Sequence, residues 1–464
     1  MSALELGGEA QRASPATPAP TAAVPSSGLV SDAIWRLRRS DGAPLLPSTG
    51  TGPLTGLTVA VKDVFEVDGF AMGAGNPVWL AERAAASADS AAVAALRAAG
   101  AAVAGIAHTD EFAYSIAGRN AHWGTPPNGA APDRIPGGSS SGPASAVAAG
   151  QADIGLGTDT AGSVRVPASY QGLWGLRSTH GSTDAAGLLP LAPRFDAIGW
   201  MARDAVTLRA AVIAGLGGDE GALRLAAWFL SERSETKGAQ RALAQDEGAV
   251  RLRRGASVVA VEPDGPQAPD PRFVVAPALL ALADRDVAAA FETAVTEAVA
   301  AGRIQPPEVI EVPPTTELFA AFRIPQAAEA WRSDGEWVTA HPNACAPDVA
   351  ARFAFAASVT PEQEAAALAE LERLRVALDA ALDERILLLP SAPTFAPLLD
   401  ADADTLESVR VRTLSITAVA GITGRPAVSA PVLEIEGLPV GLCLVGPRGT
   451  DVDLIDVASA SFAP

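Results

Sequence analysis

The first apolar run with a clear period is Leu57-Thr-Val-Ala-Val61, whose β-branched density predicts a short buried strand ending at Lys62. Asp89 or Ser90 then caps a helix over residues 91–99, which is rich in strong helix formers, and Gly100 supplies the left-handed stop. Ala102-Val-Ala-Gly-Ile106 reads as a second strand. This order predicts a parallel βαβ unit with a right-handed crossover, in which functional groups gather beyond strand C-termini. Lys62 occupies such an end.

Residues 143–150 read as a buried helix of small side chains and residues 152–156 as a further strand. Between Ala222 and Pro271 the periodicity loosens and charges cluster, as in Glu232-Arg-Ser-Glu-Thr-Lys237 and Arg251-Leu-Arg-Arg254. Long helical patterns at 286–301 and 362–383 follow, then apolar strands at 386–389, 427–432 and 440–445. Strands near both ends of the chain can share one sheet, so a single domain over residues 29–464 is expected, with a variable middle at about 223–384. Residues 1–28 form an Ala/Pro/Ser-rich stretch without the basic start and apolar centre of a signal peptide. They are expected to be a flexible tail on a cytoplasmic protein.

Charge narrows the function. The 464 residues carry 34 Lys and Arg against 53 Asp and Glu, a net charge of −19, with no long basic run. A nucleic acid or an anionic membrane is therefore a poor partner. Cys345 and Cys443 are isolated and the four histidines show no ligand spacing, so neither a metal nor a cofactor is expected. The most apolar stretch, 91–107, is mostly Ala and Gly and contains Arg97, which argues against a membrane span.

The most unusual segment is Pro136-Gly-Gly-Ser-Ser-Ser-Gly142, followed by Gly157-Thr-Asp-Thr-Ala-Gly-Ser-Val-Arg-Val-Pro167. A Gly/Ser run is ordinarily a linker, but this one leads directly into the apolar 144–149 helix, which places its serines at the mouth of a packed core. A P-loop lacks its Gly-Lys-Ser/Thr ending here. A nucleophile elbow fits Gly138-Ser-Ser-Ser-Gly142 and would make Ser140 the nucleophile, served by His180 or His341. The preceding Pro132-Asp-Arg-Ile-Pro136 makes a poor strand for it.

With Val59-Ala-Val-Lys-Asp63, these two segments resemble the amidase signature hydrolases, and the 24-residue step from Ser139 to Ser163 agrees with that pattern. Gly172-Leu-Trp-Gly-Leu-Arg177, Gly187-Leu-Leu-Pro190, Asp196 to Ala202 and Gly437-Leu-Pro-Val-Gly441 extend the resemblance over about residues 54–204 and 385–456. It implies an α/β fold with one central mixed, largely parallel twisted sheet covered by helices on both faces. It also implies that Ser163 is acylated, that Ser139 bridges after a cis bond from Gly138, and that Lys62 is the base. Asp159 and Arg165 would brace the nucleophile turn, with Ser140 and Thr158 as supporting hydrogen-bonding groups and Ser141 as a small filler. Consecutive N–H groups of Thr160, Ala161, Gly162 and Ser163 would face a developing oxyanion.

The chemistry agrees with those roles. Lysine acts as a base only when burial keeps it neutral, and bringing its pKa from about 10.4 to 7–8 is a bias of roughly 4 kcal/mol. Departures from the pattern are Ala161 where glycine is common, Ser141 and Pro143, and the loop Pro126-Pro-Asn-Gly129. Tyr114, Phe322, Arg323 and Trp331 are the candidate pocket residues, and Arg323 is a candidate partner for a substrate carboxylate. Gly75-Asn-Pro-Val-Trp79 and the 322–337 stretch resemble indole-acetamide-type amidases. The expected substrates are therefore small aryl or arylalkyl amides, with carbamates and esters open to the same chemistry. A homodimer is left open, and a non-catalytic amidase-like binding domain is the alternative from another class.

Overall fold

Two-residue alternation along the central strands divides the apolar side chains between the faces of one sheet. Val59 and Val61 enter one core with Leu156, Leu176 and Trp200, whereas Ala60 joins Ala144, Val164 and Met201 on the opposite side. In the computed structural model, which describes residues 29–30, 32–217, 253–254, 257–258 and 272–463, the sheet has twelve strands. They are β1 Leu29–Val30, β2 Trp35–Arg39, β3 Thr58–Lys62, β4 Ala102–Ala107, β5 Ile154–Asp159, β6 Trp174–Arg177 and β7 Ala197–Ala202. The remainder are β8 Phe273–Val275, β9 Glu308–Val309, β10 Ile386–Pro390, β11 Ala427–Ile435 and β12 Leu438–Val445. The spatial order is β1-β2-β4-β3-β5-β7-β6-β11-β12-β10-β8-β9. Strands from the two ends of the chain do meet, as β6 pairs with β11.

The sheet is mixed α/β with helices on both faces, but it is less parallel than expected. Parallel pairing is confined to β3–β4, β3–β5, β8–β9 and β8–β10. The central strands from β5 through β7, β6, β11 and β12 to β10 run antiparallel to their neighbours. The βαβ unit is present as β3, the Ala91–Ala98 helix and β4, with Ser90 at the N-cap. The helices read at 286–301 and 362–383 are Arg285–Ala300 and Pro361–Leu382, the latter closed by a Thr360/Gln363 capping box. Helices Thr315–Ala340 and Ala403–Thr423 had no counterpart in the sequence pattern. The expected tail at 1–28 lies outside the described residues, as does the charged Glu232–Lys237 run and all but four residues of the loosened 222–271 segment.

Candidate active site

Because Ala60 packs against the Ser141–Ala148 helix, Lys62, two residues farther along β3, leaves the strand toward the same layer. Its side chain is fully buried, and Nζ donates to Ser139 Oγ and to Thr158 Oγ1, each at 2.7 Å. Burial pushes the Lys62 pKa down to about 7, although Asp110, Asp196 and Asp159 pull in the opposite direction. Desolvation wins because the amine has lost bulk water while gaining only neutral hydroxyl partners.

Ser139 stands just before the Ser141–Ala148 helix and follows a cis Gly138–Ser139 bond. Its carbonyl accepts from Thr109 Oγ1 at 2.9 Å and from the Asp110 N–H at 3.2 Å. Glycine at 138 is enforced by proximity, since a Cβ there would lie 2.5 Å from Asp110 Oδ2 and 2.6 Å from the Gly118 nitrogen. The Asp110 carboxylate accepts from the Gly118 N–H at 2.9 Å and from Ser141 Oγ at 3.3 Å. Ser141 thus makes a hydrogen bond where only a filler was expected. Burial raises the Asp110 pKa against those donors.

The Ser163 turn is attached to this framework through the Ser140 N–H, which donates to the Ser163 carbonyl at 3.2 Å. Asp159 braces the turn from inside. Its Oδ1 accepts from the Gly162 N–H and from Arg165 Nη2, both at 2.8 Å, and its Oδ2 accepts from Arg165 Nε at 3.0 Å and the Val164 N–H at 3.2 Å. Arg177 Nη1 adds a contact to the Asp159 carbonyl. Burial opposes ionisation of Asp159, but Arg165, Arg177 and the Gly162 N–H outweigh it and hold the carboxyl below the ordinary range. The pair is a buried brace, not a solvated ion pair.

This brace changes the reading of the four amides. The Gly162 N–H is taken by Asp159, so it serves the turn and does not face an oxyanion in this arrangement. The Thr160, Ala161 and Ser163 amides find no acceptor among the described residues. Gly162 itself has φ +117°, and a Cβ on it would lie 3.1 Å from both Thr417 Cγ2 and Val166 Cγ2. Thr417 fixes the turn further, donating from Oγ1 to the Ala161 carbonyl at 2.6 Å. Thr160 Oγ1 donates to Asp196 Oδ1 at 2.6 Å.

Ser163 opens onto a narrow cavity whose walls include Ala113, Tyr114, Ile116, Thr160, Ala161, Leu191, Gln326, Arg410 and Leu414. No hydrogen bond joins Ser163 Oγ to Ser139 Oγ among the described residues; the formed link is Lys62–Ser139. Of the four expected pocket residues only Tyr114 lines this cavity. Phe322 is fully buried and packs its ring 4.5 Å from that of Phe195, an ordinary core position. Arg323 lies 4.0 Å over the Phe355 ring, and Trp331 packs against the core formed by Phe322, Leu318 and Phe353. Ser115, Gln326 and Arg410 are the polar wall residues that sequence reasoning missed.

The Ser140–histidine arrangement is not formed. Ser140 Oγ donates to the Thr158 carbonyl and accepts from the Thr158 N–H, each at 3.3 Å. His180 Nε2 lies 2.8 Å from the Pro193 carbonyl, and His341 Nε2 lies 2.7 Å from Glu82. The atypical 126–129 loop is anchored by Asn128, whose Nδ2 donates to the Ile135 and Tyr170 carbonyls at 3.0 Å. Among the described residues no group of three or more His, Cys, Asp and Glu side chains is arranged to hold a metal ion, and no helix is long and apolar enough to cross a membrane.

Comparison with known proteins converges with this geometry. A family model described as "Amidase" matches residues 22–251. The chain is 34% identical over 445 residues to "Amidase 1" of Arabidopsis thaliana, covering 91% of this chain and 96% of the relative. It is 35% identical to "Amidase 1" of Oryza sativa subsp. japonica, covering 88% and 91%. A solved structure described as "Crystal structure of amidase" superposes with a TM-score of 0.71 at 27% identity, over 89% of this chain and 85% of that one. Fold, serine-rich framework and these likenesses together make the chain a member of the amidase signature family of C–N hydrolases.

Proposed function

We propose that the chain hydrolyses the C–N bond of small amides through an acyl-enzyme on Ser163, with Ser139 as proton relay and Lys62 as general base. The observation that carries this reading is the 2.7 Å contact between a buried, readily deprotonated Lys62 and Ser139, next to the cavity that holds Ser163. With the amine neutral, the contact reverses and Ser139 O–H points at the Nζ lone pair. The Ser163 proton passes to Ser139 as the Ser139 proton passes to Lys62, and Ser163 Oγ forms a bond to the carbonyl carbon. The oxyanion is met by amides of the 160–163 turn other than that of Gly162. Return of the proton through Ser139 to the leaving nitrogen accompanies C–N cleavage. Water then attacks the acyl group by the same relay, releasing the acid and restoring Ser163.

Aryl and arylalkyl amides and anilides are the proposed substrate classes, supported by the Tyr114, Ile116, Leu191 and Leu414 walls. Carbamates and esters share the tetrahedral step. Intact-mass analysis after a fluorophosphonate or sulfonyl fluoride tests the nucleophile: one adduct, mapped to Ser163 and lost in Ser163→Ala, is expected, and labelling at Ser140 instead would overturn it. A panel of amides, anilides, carbamates and ureas, read by amine release, ranks the substrate classes.

A further inference from the structure

Among the residues that line the Ser163 cavity, Arg410 alone carries a charge. It projects from the Ala403–Thr423 helix, one turn before Leu414, which is also on the wall, and two turns before Thr417, which holds the Ala161 carbonyl. Seven residues of helix place Arg410 about 10 Å along the axis from that turn. Arg410 therefore leaves the helix well away from the residue that holds the Ala161 carbonyl, with Leu414 between them along the helix.

The resident partner of Arg410 is weak. Nη1 bonds Glu407 Oε1 at 2.9 Å, but the Glu407 side chain is 59% exposed against 20% for Arg410. An ion pair open to water on one side is worth little, and it leaves the other guanidinium nitrogens without an acceptor among the described residues. Arg352 and Arg323 add positive charge around Tyr114 on the same wall, whereas no carboxylate lines the cavity. A local positive end in a chain of net charge −19 is a selective feature, since the protein as a whole repels anions.

We propose that Arg410 binds a carboxylate at the far end of the substrate, so that the preferred substrates are amides carrying an acidic group separated from the scissile carbonyl by an apolar spacer. The substrate class rests on the amidase reading given above; the anion site itself does not. Leu414, Leu191 and Ile116 supply apolar walls for the spacer to pack against, and the guanidinium presents paired N–H donors that match a carboxylate edge.

Two measurements separate these readings. In the first, kcat/KM is compared for the monoamides of glutaric, adipic and suberic acid and for the unsubstituted alkyl amides of equal length. The acidic member of the best-fitting pair is expected to lead by about ten- to a hundredfold, mainly through KM, as befits a charge-assisted hydrogen bond. That ratio should fall to near one in Arg410→Gln, remain partly in Arg410→Lys, and rise severalfold in Glu407→Gln, where the guanidinium is no longer shared. In the second, adipate binding to Ser163→Ala is followed by calorimetry, with and without Arg410→Gln. Binding that depends on Arg410, found beside a wild-type chain that releases amine from none of the amides, would sink the hydrolase reading and keep the anion site. An acidic-to-neutral ratio that Arg410→Gln leaves unchanged, or adipate binding that it does not weaken, would overturn the site.

Discussion

Lys62 Nζ lies 2.7 Å from Ser139 Oγ although the residues are 77 apart in the chain. Because burial brings the Lys62 pKa to about 7, the fraction of free amine climbs through neutrality. The pH profile of kcat/KM should therefore rise with a single inflection near pH 7 and level off on the alkaline side. Lys62→Ala should lose at least about a thousandfold in kcat. Lys62→Arg should be comparably inactive at every pH, because a guanidinium does not give up its proton in this range. A profile with an acidic optimum contradicts the assignment.

The same shift predicts a stability effect of definite sign. The folded-state pKa of Lys62, about 7, lies below the unfolded model value of 10.5, so between them the unfolded chain binds more protons. By linkage this lysine costs stability below pH 7, and the penalty fades as pH rises from 7 toward 10.5. Lys62→Met should gain thermal stability over the wild type at pH 6, with the gap narrowing steadily by pH 9.5. Melting temperatures across that range check it; a gap that widens with pH would refute it.

Ser140 and Ser163 should differ in kind. Ser163→Ala removes the proposed nucleophile and should abolish turnover and labelling. Ser140→Ala loses two buried hydrogen bonds to the Thr158 backbone, a destabilisation of about 1–3 kcal/mol, with reduced but measurable activity. His180→Ala and His341→Ala should remain within about twofold of wild-type activity, since both rings are engaged away from Ser140. Kinetics on an aryl amide, beside urea melts, distinguish the outcomes.

Asp159→Asn should be more damaging to the fold than any single serine change. It leaves Arg165 and Arg177 buried without their carboxylate and weakens the clasp on the Gly162 amide. Breaking one side of a buried ion pair typically costs about 3–5 kcal/mol. Denaturant titration should show that loss, and activity at a temperature where the variant is folded should still be depressed because the Ser163 turn has lost its brace.

The parts of this molecule that follow a simple period were legible in the sequence, and the parts built by long-range packing were not. Lys62 could be placed because the apolar Val59–Val61 run leads directly into it and strand alternation fixes its side. The Gly/Ser run could be placed because an apolar helix starts immediately after it. The pocket was misread because an aromatic side chain in a long helix is read equally well as wall or core. Phe322 sits three residues before Pro325 inside the Thr315–Ala340 helix and goes to the core. Arg410 escaped notice because the Ala403–Thr423 helix starts polar and turns β-branched and buried, with no amphipathic stripe to announce it. The antiparallel bias of the sheet was hidden for a similar reason: strand direction is set by which distant segments pair, as when β6 meets β11.

The sheet joins early and late segments at its centre, with β11 between β6 and β12, and Arg165 Nη1 donates to the Thr417 carbonyl at 3.2 Å. All three proposed reactive side chains are synthesised before residue 164, yet the wall that aligns them arrives only with the helix and hairpin beyond residue 402. The segments that hold the Ser163 turn from outside are thus translated more than 200 residues after the turn itself, so the site's framework closes only when the last quarter of the polypeptide has been made.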